Sequence, residues 1–437
     1  MADKAVSESA GVQAQLDRLE GMAAGKDMLG HERLAYLLAR LGHPERALPP
    51  VFHVAGTNGK GSTIAYLRAA LQAQGLSVHA FTSPHLVRLN ERIRLANVLV
   101  SDTELAQLLS DTLDAIGPEG TTFFEATTAA ALLGFGRHPA DACLLEVGLG
   151  GRLDATNVVA QPAVCGIARV DIDHQEFLGE TLAEIAAEKA GIAKPGVLLC
   201  VVAQAPDAQA AILRVAEERD APVFLQGRDW DAGFDADQLF YRDRHGALTL
   251  PLPSLPGAHQ ATNAGLALAM LRHQQTMEVS QEALAAAMTG AKWPARLQRL
   301  SAGPLTGLLP ENAQVWLDGA HNVAAMKVVV EHLSGTLAQG DILEVVFGLL
   351  STKDAEGVLS ELARLPCRIH AVPVPSYQSR PPEELAAIAA GMGLEATANE
   401  TVEQAFARIT DAAPKVLVIG SLYLAGPVLR ANEEFPD

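Results

Sequence analysis

The feature that most limits what this chain can fold into is the run Gly56–Ser62, GTNGKGS. It lies between the apolar segment VFHVAG and the amphipathic stretch STIAYLRAALQAQG, which Gly75 closes. A short strand, a glycine-rich turn and a helix in that order bring backbone N–H groups and a helix N-terminus to one point, the arrangement in which α/β proteins hold phosphate. Lys60 supplies a point charge for the outer phosphates, and the hydroxyl of Ser62 behind it suits Mg²⁺. The generic spacing is not met: position 54 is Val, and Gly61 separates Lys60 from Ser62. The alternative is a tight strand-to-helix turn with a solvated lysine. Gly56, Gly59 and Gly61 with Thr57, Asn58 and Ser62 in this context weigh against it.

Beyond the loop, strands and helices alternate. SVHAFTSPH reads as a strand, TTFFEATTAAALLGFG as a helix and DACLLEVGLGG as a strand entering a glycine loop. PAVCGIARVDIDH reads as a strand ending in acids and a histidine. TLAEIAAEKAG is a helix with Thr181 at its N-cap and Glu184 three residues on, a capping box. Residues 11–42 have helical spacing. Residues 221–260, rich in Asp, Gly and Pro, are expected to be less regular, with one alternating run at ALTLPLP. Lys292–Pro304 has the look of a domain junction, and the alternation restarts after it with QVWLDGAHN, VAAMKVVVEHL, DILEVVFGLLSTKD, PPEELAAIAAGMG and TVEQAFARI. KVLVIGSLYLAG is expected as a last strand and turn. The pattern predicts two α/β units with mostly parallel sheets and a ligand cleft where they meet.

Composition bounds the partners. The 437 residues are 49% hydrophobic and 19% charged, enough for two or three domain cores. A formal charge of -18 and a pI of about 5.1 argue against general nucleic-acid or anionic-membrane binding and leave small anionic ligands open. The four cysteines have neither zinc nor redox spacing, which predicts reduced thiols in a cytoplasmic protein. The opening MADKAVSESA is no secretory signal, and the most apolar stretch, Val416–Gly426, is too short to span a bilayer.

Three further residues stand where chemistry is expected. Glu146 ends the apolar run ACLLE, at the strand end where parallel sheets place ligands, and its carboxylate suits magnesium. An exposed strand-end acid is the alternative. His174 lies similarly after GIARVDID, yet imidazole is an unusual magnesium ligand, and a loop histidine bonded to backbone accounts for it better on chemistry alone. Leu182, Ile185, Ala186 and Lys189 form one helical stripe, which puts Lys189 on the apolar face. The amine either snorkels past the helix end before Gly191 or is modified or metal-linked; the physics alone favours snorkelling.

The motifs AGTNGKGST, TSPHL, FFEATT, EVGLGGRLDATN, DHQEFLGETLAEIAAEKAGI, HQATNAGLAL, PARLQ, DGAHN and GSLYLAG occur in this order. Together they resemble the folylpolyglutamate synthase/dihydrofolate synthase branch of the Mur ligase superfamily, over about residues 15–430, and the GKGS spacing is itself typical of that branch. The resemblance implies an N-terminal P-loop ATPase domain over 1–295 and a C-terminal Rossmann-like α/β domain over 296–437, with ATP between them. It implies glutamate ligation to a folate-type carboxylate through an acyl phosphate. Gly56, Thr57, Asn58, Gly59, Lys60, Gly61 and Ser62 would hold the ATP phosphates. Ser62, Glu146, His174 and Lys189 would serve Mg²⁺ and a second divalent or a monovalent cation, with Lys189 carbamylated. Asn263 would meet the nucleotide base, and Arg296, Asp318 and His321 the phosphates and ribose. Lys60, Lys189, His174 and Arg296 would carry catalysis. Ser83, Phe124, Arg152 and Asp154 would line the site for dihydropteroate or reduced folate, and Ser421 part of the glutamate site. Taken singly, Phe124 at a helix start and the Asp318–Gly319 pair have ordinary structural uses.

The nearest rival is a peptidoglycan Mur ligase, which carries an additional N-terminal domain for its nucleotide sugar; the 55 residues before Gly56 are too few for one. A nucleotide-dependent switch or a folate-binding paralogue would bind without glutamate-dependent turnover. Within the family, FFEATT favours a bifunctional enzyme over a monofunctional one. A monomer acting on small molecules is expected.

Overall fold

The computed structural model describes residues 5–22, 30–118, 120–235, 237–375 and 378–437. The chain divides into two compact units: Met1–Ser254 with His259–Lys292, and Leu255–Ala258 with Trp293–Asp437. Of the helical stretch expected over 11–42, Ala10–Met22 and Glu32–Arg40 are helices, and 23–29 lie outside the described residues.

The first unit is built on eight strands: β1 (Val51–Ala55), β2 (Val78–Phe81), β3 (Ile93–Leu95), β4 (Val98–Leu99), β5 (Ala142–Glu146), β6 (Val164–Ile167), β7 (Leu199–Val201) and β8 (Val223–Leu225). Their order is β4-β3-β2-β5-β1-β6-β7-β8. All neighbours are parallel except the β2–β3 and β3–β4 pairs at one edge. Strands β1, β5 and β6 are buried along their whole length, as a sheet covered on both faces requires. Register places Val54 beside Glu146 and Ala55 beside Ile167. The segments that follow β1, β5 and β6 therefore emerge side by side at the carboxyl edge, where open α/β sheets bind ligands.

Residues 221–260 are more regular than their composition suggests. After β8 come β9 (Trp230–Asp235), β10 (Gln238–Asp243) and β11 (Gly246–Pro251), an antiparallel sheet of its own. Its Asp and Gly residues mask a pattern set by the helix Gln260–His273 beneath it. A Cβ on Gly265 of that helix would lie 2.6 Å from Ala232 Cβ, so glycine there lets the sheet settle onto the helix.

The second unit has the strands β12 (Gln298–Arg299), β13 (Gln314–Leu317), β14 (Leu343–Phe347), β15 (Cys367–Ala371), β16 (Glu395–Ala398) and β17 (Lys415–Ile419), ordered β12-β13-β17-β14-β15-β16. All pairs are parallel except β12–β13. The expected turn after β17 is instead a helix, Leu422–Ala431, which runs through Pro427. Leu424, Val428 and Leu429 on it are buried, each worth about 1.5–3 kcal/mol, which outweighs the roughly 3 kcal/mol cost of an internal proline. Among the described residues no helix is long and apolar enough to cross a membrane.

Candidate active site

The loop after β1 is shaped by two glycines with positive φ, Gly56 at 149° and Gly59 at 94°. A Cβ on Gly59 would stand 2.3 Å from Asn263 Oδ1, so the loop presses directly onto the N-terminal turn of the helix Gln260–His273. The loop is tied to the segment after β6. Thr57 N–H and Asn58 N–H donate to Arg169 O, Thr57 Oγ1 donates to Asp171 O, and Asn58 Nδ2 donates to Asp171 Oδ2 at 2.9 Å. Lys60 begins the following helix and folds its amine over the loop, 3.1 Å from Gly56 O. Ser62 is buried, and its Oγ accepts from Gln260 Nε2 at 3.4 Å. Asn263 in turn donates to Gln260 Oε1, which places it against the phosphate loop. Sequence reasoning overlooked Gln260 and Asp171. The runs HQATNAG and VDID that contain them were the available signal.

Glu146 lies one strand over, buried, with Oε2 accepting from Ser83 N–H at 3.3 Å. Ser83 precedes Pro84 across a cis peptide. His174 holds a left-handed backbone conformation (φ 52°) with its N–H donating to Asp173 Oδ1, and its ring is partly exposed beside that carboxylate. Lys189 departs from expectation. It does not snorkel; the residue is 5% exposed. The glycine loop after β5 packs against the backbone at the end of its helix. A Cβ on Gly151 would sit 2.8 Å from Lys189 O, and Arg152 N–H donates to Glu188 O. Burial and the nearby Lys60 cation pull the Lys189 amine down to about 7, against the opposing fields of Asp173, Asp154 and Asp171. Lys60, Lys189 and the three aspartates thus share one electrostatic neighbourhood. Among the described residues no three His, Cys, Asp or Glu side chains gather as ligands. The oxygens of Ser62 and Glu146 still fit a hard cation that keeps phosphate and water in its shell.

The loop from Gly148 to Val158 carries the residues assigned to the acceptor. Asp154 is buried and turned into its own loop: Oδ2 accepts from the N–H groups of Gly148 and Leu149, and Oδ1 from Thr156 N–H and Oγ1. Burial raises its pKa while these bonds lower it, with a net rise. Arg152 pairs with Glu188 at 2.8 Å. Phe124 rests on the loop, since a Cβ on Gly148 would fall 2.3 Å from its Cζ, and it also meets Phe81. A capping box of Thr122 and Glu125 sets the start of its helix.

In the second unit, Asp318 follows β13 and accepts from Leu297 N–H and Ala320 N–H. Burial raises its pKa, and the Arg296 guanidinium opposes the rise. Arg296 Nη1 donates to Ala295 O, and His321 Nδ1 is 2.8 Å from Gly319 O. Arg296, Asp318 and His321 therefore sit together at the carboxyl edge of this sheet. Ser421 follows β17 and caps the last helix through Tyr423 N–H.

A parallel sheet with a lysine-bearing phosphate loop and a buried strand-end carboxylate defines a nucleotide-binding α/β enzyme. The Mur ligase middle domain matches residues 54–271, and the C-terminal domain of dihydrofolate synthetase matches residues 304–431. The dihydrofolate synthase/folylpolyglutamate synthase of Escherichia coli is 34% identical over 95% of this chain and 94% of its own length. That of Bacillus subtilis is 36% identical over 78% and 80%. The structure of E. coli FolC with DHPP and ADP superimposes with a TM-score of 0.87 over 97% of both chains at 32% identity. The Yersinia pestis bifunctional enzyme with AMPPNP and Mn ion gives 0.85 at 32% over 98% and 99%. The chain belongs to the dihydrofolate synthase/folylpolyglutamate synthase family and is an ATP-dependent carboxylate–amine ligase.

Proposed function

We propose that this ligase adds L-glutamate both to dihydropteroate and to reduced folates. The reading is carried by the likeness, over 97% of both chains, to E. coli FolC with DHPP and ADP, together with a unit that holds both the Lys60 phosphate loop and the glycine loop that seats Phe124. Names borne by full-length relatives, dihydrofolate synthase/folylpolyglutamate synthase among them, support both acceptors.

The acceptor carboxylate attacks the γ-phosphorus of ATP, giving an acyl phosphate and ADP. The glutamate amine then attacks the acyl carbon, forming the amide and releasing phosphate. The N–H groups of Gly56–Ser62 and the Lys60 cation hold the phosphates in line, and positioning and charge neutralisation do most of the work. Ser62, Glu146 and His174 would hold Mg²⁺, which would supply charge neutralisation for the phosphates. An amine with pKa about 7 is half neutral at neutral pH, the form that attacks CO₂. Lys189 is therefore read as carbamylated: the neutral amine adds to CO₂, a C–N bond forms as one C=O π bond opens, a proton leaves to solvent, and the resulting carboxylate would serve a second divalent or a monovalent cation. Asn263, Arg296, Asp318 and His321 are assigned to ATP, Arg152 and Asp154 with Ser83 and Phe124 to the acceptor, and Ser421 to glutamate. The protein is read as a cytoplasmic monomer, which sedimentation tests directly. The mechanism is tested with ¹⁸O in the acceptor carboxylate. One label per turnover should appear in the released phosphate, and phosphate without label would exclude the acyl phosphate.

A further inference from the structure

Strand β1 is an apolar row with one exception. His53 is fully buried (0% exposed), paired in register with Leu145 on one side and Cys165 on the other. Its Nε2 lies 2.8 Å from Thr156 Oγ1, and that hydroxyl donates to Asp154 Oδ1 at 2.5 Å. Three backbone N–H groups, from Gly148, Leu149 and Thr156, hold Asp154 as the acceptor at the far end. The order of protons follows. Thr156 has one hydroxyl proton and spends it on the carboxylate, so His53 carries its proton on Nε2 and donates it. The bare Nδ1 is buried without a partner. Burial and the Lys194 cation push His53 down to about 3, so the ring is neutral and the chain does not reverse at working pH.

A leucine would fill this place without stranding a ring nitrogen, and burying that nitrogen costs stability. The histidine does something a leucine cannot. It fixes Thr156 and, through it, the carboxylate around which Gly148 and Leu149 turn. Phe124 rests on Gly148. Asn157, next to Thr156, donates to Arg152 O and to Gly191 O at the end of the Lys189 helix. The strand that carries His53 enters the phosphate loop three residues later.

We propose that His53 is a positioning residue of the acceptor site, holding the loop 148–156 in shape through Thr156 and Asp154 from the strand that leads into the phosphate loop. The proposal rests on the acceptor reading given above. Its test uses the full-length protein and the variants His53→Leu, His53→Gln, Thr156→Val and Thr156→Ser. Michaelis constants for dihydropteroate, ATP and glutamate are measured alongside thermal midpoints. His53→Leu should raise the dihydropteroate KM about tenfold, as the loss of one buried hydrogen bond implies, and leave the ATP KM within about twofold. Glutamine places an amide N–H near the Nε2 position, so His53→Gln should return the dihydropteroate KM to within about threefold of the parent. A folded His53→Leu protein with an unchanged dihydropteroate KM, or with all three KM values raised alike, overturns the proposal. If His53→Leu does not fold, the pair Thr156→Val and Thr156→Ser decides in the same way, with only the valine raising that KM. A parent protein without turnover on dihydropteroate would sink the acceptor reading itself and this proposal with it. An active parent indifferent to His53 and Thr156 sinks the proposal alone.

Discussion

Replacing Lys189 by methionine separates the cost of this residue from its use. Methionine keeps the length and apolar stem of the side chain and removes the amine. In the folded chain the amine sits at about 7, against an ordinary value of 10.5, because burial and the Lys60 cation disfavour its charge. A depression of that size corresponds to ~5 kcal/mol as an upper figure, and relaxation of the surroundings reduces what is observed. The sign is fixed by the direction of the shift. Between pH 7 and 10.5 the unfolded chain binds a proton that the folded chain lacks, so parental stability rises with pH across this window. Below pH 7 the fold bears the full cost of a buried cation. Lys189→Met should therefore be more stable than the parent near pH 6, by about 1–4 kcal/mol, and the advantage should shrink toward zero as pH approaches 10. The assay is thermal and urea unfolding at several pH values in buffers stripped of CO₂. Glutamate-dependent ligation is measured in parallel and should be lost. A variant less stable at every pH, or one whose advantage ignores pH, would show that burial does not set the state of this amine. Full activity would remove Lys189 from the mechanism.

Further expectations follow from the same geometry. Glu146→Gln should raise the Mg²⁺ concentration for half-maximal activity by more than about tenfold, since outer partners of metal ligands alone are worth about 10–100-fold; an unchanged Mg²⁺ dependence would dismiss the assignment. Gly59→Val meets both the positive φ of 94° and the Asn263 oxygen 2.3 Å from its Cβ, so ATP binding by calorimetry should weaken sharply, and parental affinity would contradict the loop geometry. The side chain of Asp243 is buried between Arg272 and His273, and Asp243→Ala should cost about 3 kcal/mol of stability by denaturant unfolding. Burial opposes ionisation of Asp243, but hydrogen bonds from Arg272 and His273 win and hold it at about 2. The stabilisation it gives is present above pH 4 and should fade between pH 4 and 2, a loss that Asp243→Ala should not show.

What could be read from the sequence was local. The loop GTNGKGS, the capping box of Thr181 and Glu184, and the apolar runs of β1, β5 and β6 declare themselves through spacing and side-chain chemistry, and the structure places each as expected. What escaped depends on distant partners. For Lys189 the helical pattern alone favours snorkelling, and only the resemblance implies a buried, carbamylated residue; the structure buries it, with Gly151 packed on the backbone at its helix end, a contact that only folding makes. Of the sheet β9–β11 the alternation at ALTLPLP foretells β11, but β9 escaped because Asp231, Gly233 and Asp235 are poor strand formers, and its support comes from packing on the helix Gln260–His273. The helix after β17 was hidden by Gly426–Pro427, whose cost is offset by burial that no window of sequence displays. Asp154 was assigned to the acceptor by resemblance. Its hydrogen bonds show that it organises its own loop.

The account stands most directly on ADP release by the purified protein with ATP and Mg²⁺, run with dihydropteroate in one reaction and tetrahydrofolate in another, each with and without glutamate. Glutamate-dependent release with both acceptors, and products heavier by one glutamate residue, is the result expected. Bound ATP without glutamate-dependent release on either acceptor would contradict it.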